Sequence, residues 1–158
     1  MPSTTLEELY KNLEQYKNLE TEGHFDQFFD TLDQIALRQD LSSLPVLAKY
    51  IDDNCPYDYL QECLIRIFEN FNSNDYICFV LKNLDHILKN GSDFVSSLLI
   101  RILNSEEHFS ILKKYIHLAN DASLVKILQS IAKDADQFKN YEQKKRIAEL
   151  LHVLGDSS

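Results

Sequence analysis

The chain is poor in glycine and proline, with three of each in 158 residues; average usage is about 7% and about 5%. Folds with many tight turns need glycine at positive φ and proline at preset φ. Most β-sandwiches and β-barrels are therefore excluded. Loops that cradle phosphate are built on glycine, so a P-loop or dinucleotide fold has almost nothing to work with. Cysteine is also scarce: Cys55, Cys63 and Cys78 are an odd count, which suits reduced thiols better than a disulfide framework. No long apolar run exists. The longest, Ile77-Cys78-Phe79-Val80-Leu81, falls far short of the roughly 20 residues of a spanning helix. The start, Met1-Pro2-Ser3-Thr4-Thr5-Leu6-Glu7-Glu8, lacks the basic and apolar regions of a signal peptide, and a cytoplasmic protein is expected. Basic residues are the last deficit, 16 Lys+Arg against 25 Asp+Glu. The net charge of −9 argues against non-specific nucleic-acid or anionic-membrane binding and leaves basic partners open.

What is present is helical periodicity. Apolar residues make up 44% of the chain, and a chain of about 150 residues can bury roughly 68–70% of its unfolded surface. Leu6, Leu9, Tyr10 and Leu13 line one stripe; Phe25, Phe28, Phe29, Leu32 and Ile35 line the next. Similar stripes run through Ile77–Leu88, Val95–Ile102, Leu124–Ile131 and Ile147–Leu154, and no stretch alternates with period two. The pattern predicts an all-α fold, a single domain over 1–158 of about nine short helices. They fall near 4–20, 24–39, 43–51, 57–71, 74–90, 93–103, 106–119, 122–136 and 140–154. Thr4 with Glu7 reads as a capping box, and Ser73 and Ser105 as N-caps. Gly23, Gly91 and Gly155 stand where left-handed residues end helices; Pro45 and Pro56 suit first helical turns.

Leu64-Ile65-Arg66-Ile67-Phe68-Glu69-Asn70 is echoed by Leu99-Ile100-Arg101-Ile102-Leu103-Asn104-Ser105 and by Leu124-Val125-Lys126-Ile127-Leu128-Gln129-Ser130. All three fall on alternate predicted helices. That spacing suits a HEAT-like stack of helical hairpins, with an irregular helical bundle as the alternative.

Catalytic constellations are missing. There is no His-Glu-x-x-His, Cys-x-x-Cys or Gly-x-Ser-x-Gly. His24, His86, His108, His117 and His152 are scattered and read as surface or half-buried, and the cysteines as small buried hydrophobes. Asp52-Asp53-Asn54 begins like a calcium loop but lacks the glycine and glutamate such a loop needs further on. Helical enzymes that hold magnesium through Asp-Asp-x-x-Asp motifs need no glycine. Here, however, Asp52-Asp53 is followed by Pro56 at the required place, and Glu7-Glu8 and Glu106-Glu107 are not completed either. No enzyme, metal or cofactor is expected. Lys144-Lys145-Arg146 reads as a solvated helix face.

Charge is unevenly divided. Residues 1–80 hold 15 acids and 5 bases, while residues 81–158 hold 10 acids and 11 bases. Asp52, Asp53, Asp58, Glu62, Glu69 and Asp75 interleave with Tyr57, Tyr59 and Tyr76. Carboxylates steer a basic partner and tyrosines anchor it; equally, acids solvate helix faces and suit first turns, where the dipole favours them. The candidate partner-binding residues are Asp52, Asp53, Tyr57, Asp58, Glu62 and Glu69.

Tyr50-Ile51-Asp52-Asp53-Asn54-Cys55-Pro56-Tyr57-Asp58 runs into Leu64-Ile65-Arg66-Ile67-Phe68-Glu69-Asn70-Phe71. With the later Leu99–Glu107 segment, it resembles the immunity protein 30 family of bacterial polymorphic-toxin and contact-dependent-inhibition systems. The resemblance covers roughly residues 41–135. The tryptophan that the family carries ahead of its Arg-Ile-Leu-Asn segment is absent, and Phe94 occupies that stretch. The resemblance implies a small helical, non-enzymatic protein that binds and neutralises a cognate toxin C-terminal domain, a basic nuclease in the leading case, in the bacterial cytoplasm. It carries over no binding residues. The alternatives are a HEAT-like adaptor with a non-toxin partner and a metal-dependent helical hydrolase. Carboxylates converging on one pocket would favour the hydrolase; a convex acidic face with no pocket would favour inhibition.

Overall fold

The computed structural model describes residues 3–137 and 140–155. Among them lie ten α-helices, one 3-10 turn and no strand, so the all-α expectation holds. The chain divides into two compact units, residues 1–49 and 50–158.

The first unit holds α1 (Leu6–Tyr16), α2 (His24–Arg38) and α3 (Ser43–Ala48). The capping box of α1 sits one residue later than the sequence suggested. The Thr5 hydroxyl accepts the Glu8 amide at 3.2 Å, and the Glu8 carboxylate accepts the Thr5 amide at 2.8 Å. Leu9 and Leu13 pack with Phe28, Leu32 and Ile35, all essentially buried. Gly23 does adopt positive φ, but at the start of α2 rather than the end of α1, because α1 stops early and a turn intervenes. Gln39 ends α2 in the left-handed region, its amide donating to the Ala36 carbonyl. Asp40 then accepts the Ser42 hydroxyl at 2.7 Å and amide at 2.9 Å, bonds that hold its carboxyl below the usual range. Tyr10 bonds the buried Ser43 hydroxyl at 2.7 Å, joining α1 to α3.

The second unit holds α4 (Asp58–Asn70), α5 (Ser73–Lys82), α6 (Leu84–Leu88), α7 (Ser92–Leu103), α8 (Glu106–Tyr115), α9 (Asp121–Gln137) and α10 (Tyr141–Val153), with the 3-10 turn at Ile116–Leu118. The three similar segments lie on α4, α7 and α9. These helices pack in that order, α4 on α7 and α7 on α9; α5 packs on α8, and α10 on α9. At the centre Phe68 is fully buried and meets Phe94 and Phe79 edge-on, at 5.7 and 6.2 Å between centroids. Phe94 is thus a core residue.

Several expected boundaries move, each for a local reason. The helix expected over 74–90 breaks at Asn83, whose side-chain amide donates to the Phe79 carbonyl at 2.8 Å beside its own backbone amide at 3.1 Å. Its N-cap is Asn72, which accepts the Asn74 amide, rather than Ser73. Pro56 lies before α4, not in its first turn. Gly91 has negative φ and starts α7 instead of ending a helix. It must be glycine for a different reason: a Cβ there would overlap the Ile51 Cγ2 methyl. Ser105 caps α8, and Gly155 at φ 81° follows α10, both as expected.

Candidate functional site

The aspartate-rich segment ahead of α4 works first as a strap. Gln61, one turn into α4, donates to the Tyr50 carbonyl and accepts the Asp52 amide, both at 3.1 Å. Asp52 accepts the Asn54 amide at 2.9 Å and closes a turn. The Asp53 amide donates to the Asn90 carbonyl at 2.8 Å. The Asp53 carboxylate accepts the Asp93 amide at 2.8 Å and the Phe94 amide at 3.2 Å. Those are orphan donors of the first turn of α7, whose own N-cap, Gly91, has no side chain to accept them. Asp53 is therefore a helix cap supplied from another part of the chain.

Of the six candidate contact residues, the structure gathers three and sets three apart. Asp53, Asp58 and Glu62 border one open depression of about 170 Å³ between α4 and α7; Asp93, missed by sequence reasoning, joins them. Asp58, Glu62 and Asp93 are exposed, and their carboxylates have no hydrogen-bond or ion-pair partner among the described residues. Asp52 lies outside this lining, and half-buried Tyr57 precedes α4. Glu69 is engaged within the chain: Arg101 reaches it through Nη2 at 2.7 Å and Nε at 2.8 Å. Its charge is met before any partner arrives.

The tyrosines separate as well. Tyr59 is half exposed, whereas Tyr76 is fully buried and unable to anchor a partner. Burial, aided by the Glu69 charge, pushes the Tyr76 hydroxyl up to about 12. That hydroxyl has no hydrogen-bond partner among the described residues. Its ring packs edge-on to His108, which bonds the Ser73 hydroxyl at 3.0 Å.

The acidic depression continues toward the C-terminal ends of the same helices. Glu62, Ile65 and Ser97 also line a second depression of about 350 Å³, completed by Arg66, Ile100 and Arg101. Carboxylates do converge on a pocket, then, the feature that would favour a hydrolase. The depression is open, one of the four acids is a helix cap, and no group of three or more His, Cys, Asp or Glu among the described residues could hold a metal ion.

Elsewhere the histidines are half-buried or exposed, as expected. The cysteines are free but only half-buried, not buried: Cys63 lies on α4, Cys78 on α5 and Cys55 in the loop ahead of α4, and burial pushes the Cys78 thiol up. In the basic run Arg146 packs over the Phe109 ring at 5.5 Å and pairs with Glu142 at 3.2 Å, which removes it from any free basic patch. No helix among the described residues is long and apolar enough to cross a membrane.

The described residues thus form an all-helical chain with an acidic groove bordered by α4 and α7. The family model for immunity protein 30 matches residues 15–112, well over half the chain. The chain belongs to the immunity protein 30 family. The match starts earlier and ends sooner than the 41–135 resemblance, and it contains α4, α7 and every candidate contact residue. No curated protein and no solved structure matches it.

Proposed function

We propose that this protein, acting as a single immunity-type domain over 1–158, binds and neutralises a cognate toxin domain without itself catalysing a reaction. The toxin we infer is a basic nuclease, met in the bacterial cytoplasm of producer and sibling cells. The observation that carries this reading is the set of carboxylates on the α4–α7 depression. Asp58, Glu62 and Asp93 are exposed and unpaired among the described residues, in a chain of the immunity protein 30 family. Unpaired carboxylates raise the encounter rate with a basic surface and discriminate against acidic ones. A nuclease groove is basic because its substrate is a polyanion, so the two surfaces are complementary in sign.

Co-expression with the toxin domain encoded beside this gene tests the reading. Restored growth, a one-to-one complex and nuclease activity titrated to zero at equivalence are expected. Undiminished toxicity with the protein in excess would refute it. Within this reading, D58K together with E62K slows association and reduces its dependence on salt.

A further inference from the structure

Two of the similar helices run in the same direction. The start of α4 lies beside the start of α7, where Asp53 meets Asp93, and their far ends meet where Glu69 pairs with Arg101. Along the groove between them the charges have an order. Asp58 and Asp93 stand at one end, Glu62 follows, and then Arg66, exposed and without a partner among the described residues; Arg101, already held by Glu69, closes the series. Ile65, Ser97 and Ile100 lie between the two signs.

The acids are not equivalent. Asp58 and Asp93 occupy first turns, where the helix dipole offsets part of their field. Glu62 lies beyond that turn, where the dipole offset has fallen away. Glu62 and Arg66 therefore set the polarity of the groove, one helical turn apart on α4.

We propose that this groove is the docking site for a single peptide segment of the toxin domain and that its charge order fixes the direction in which the segment lies. This rests on the toxin-binding reading above. The segment places a basic side chain among Asp58, Glu62 and Asp93, an apolar residue over Ile65 and Ile100, and a carboxylate on Arg66. From Asp58 to Arg66 the α4 axis rises about 12 Å, so the two charges of an extended occupant stand about four residues apart. A nucleic acid, uniformly negative, does not fit a groove whose larger part is acidic. The depressions are open rather than enclosed, which suits a segment carried on a protein surface better than a small molecule.

The decisive variant is the charge exchange E62R with R66E. It preserves net charge, composition and the i,i+4 spacing of opposite charges, and exchanges only the signs at the two middle positions of the groove. Binding to the purified toxin domain is measured by surface plasmon resonance, with the melting temperature as a folding control. Steering by overall charge alone leaves the exchanged protein binding like the parent. A directional groove weakens Kd at least tenfold, mostly through faster dissociation, with an unchanged melting temperature. S97W, which fills the groove from the exposed side of α7 without altering charge, weakens binding to a similar extent. If the exchanged protein and S97W, both folded, bind within twofold of the parent, the groove assignment is overturned and toxin binding stands. If the parent itself neither binds nor protects, the toxin-binding reading fails first.

Discussion

Replacing Asp53 by alanine separates its structural role from a contact role. The carboxylate accepts two first-turn amides of α7, from Asp93 at 2.8 Å and Phe94 at 3.2 Å, across 40 and 41 residues of sequence. Loss of a side-chain cap costs about 0.5–2 kcal/mol, and the ionised acceptor places this cap toward the upper end of that range. The bonds are exposed or half-buried, so water replaces part of what is lost, and we expect about 1–2 kcal/mol. At roughly 2–4 °C per kcal/mol for a chain of this size, D53A lowers the melting temperature by about 2–8 °C. Asparagine, with one acceptor oxygen, loses about half as much. Alanine at Asp58 or Glu62, exposed and unpaired among the described residues, changes stability by less than about 0.5 kcal/mol. The assay is thermal unfolding by circular dichroism, paired with hydrogen exchange at the Asp93 and Phe94 amides. Both amides exchange faster in D53A. An unchanged melting temperature with undiminished protection at those amides would refute the capping role and return Asp53 to the contact residues.

The remaining predictions concern close packing and a buried hydroxyl. G91A sets a Cβ onto the Ile51 Cγ2 methyl and 3.2 Å from the Ile87 carbonyl, destabilising by about 1–3 kcal/mol. I51L, which lacks that methyl, restores part of the loss in the double variant, as denaturant titration would show. Y76F removes a buried hydroxyl with no partner among the described residues and is neutral or stabilising by about 1 kcal/mol; a lower melting temperature would reveal a bond to the hydroxyl. With the Tyr76 hydroxyl raised from 10.0 to about 12 in the folded protein, the unfolded chain loses this proton first as pH rises. Its stabilisation is complete below pH 10.0 and is lost as pH climbs toward 12. Unfolding midpoints across that window fall more gently for Y76F than for the parent.

Local signals were legible without a structure because they are written in local spacing. The 3.6-residue stripes specified helices, since any stripe of that period needs a partner face, and Ser105 and Gly155 marked helix ends correctly. Errors of one or two residues arose where two neighbours can both act, as with Thr4 and Thr5 or Ser73 and Asn72. At Asn83 the helix divides although the apolar stripe runs on through Leu84 and Ile87.

The site divides in the same way. Asp58 and Glu62 were recognisable because they belong to the run of acids interleaved with tyrosines. Asp93 was not, since nothing in its own neighbourhood says that the start of α7 arrives beside the start of α4. Glu69 and Tyr76 carried the same sequence signal as the groove acids and Tyr59, and folding placed Glu69 against Arg101 and Tyr76 in the core. By itself, the sequence determined the helices, the acidity of the first half and the family. Only the tertiary structure decided which of those charges remain free, because a charge is met or left open according to which helix ends come together.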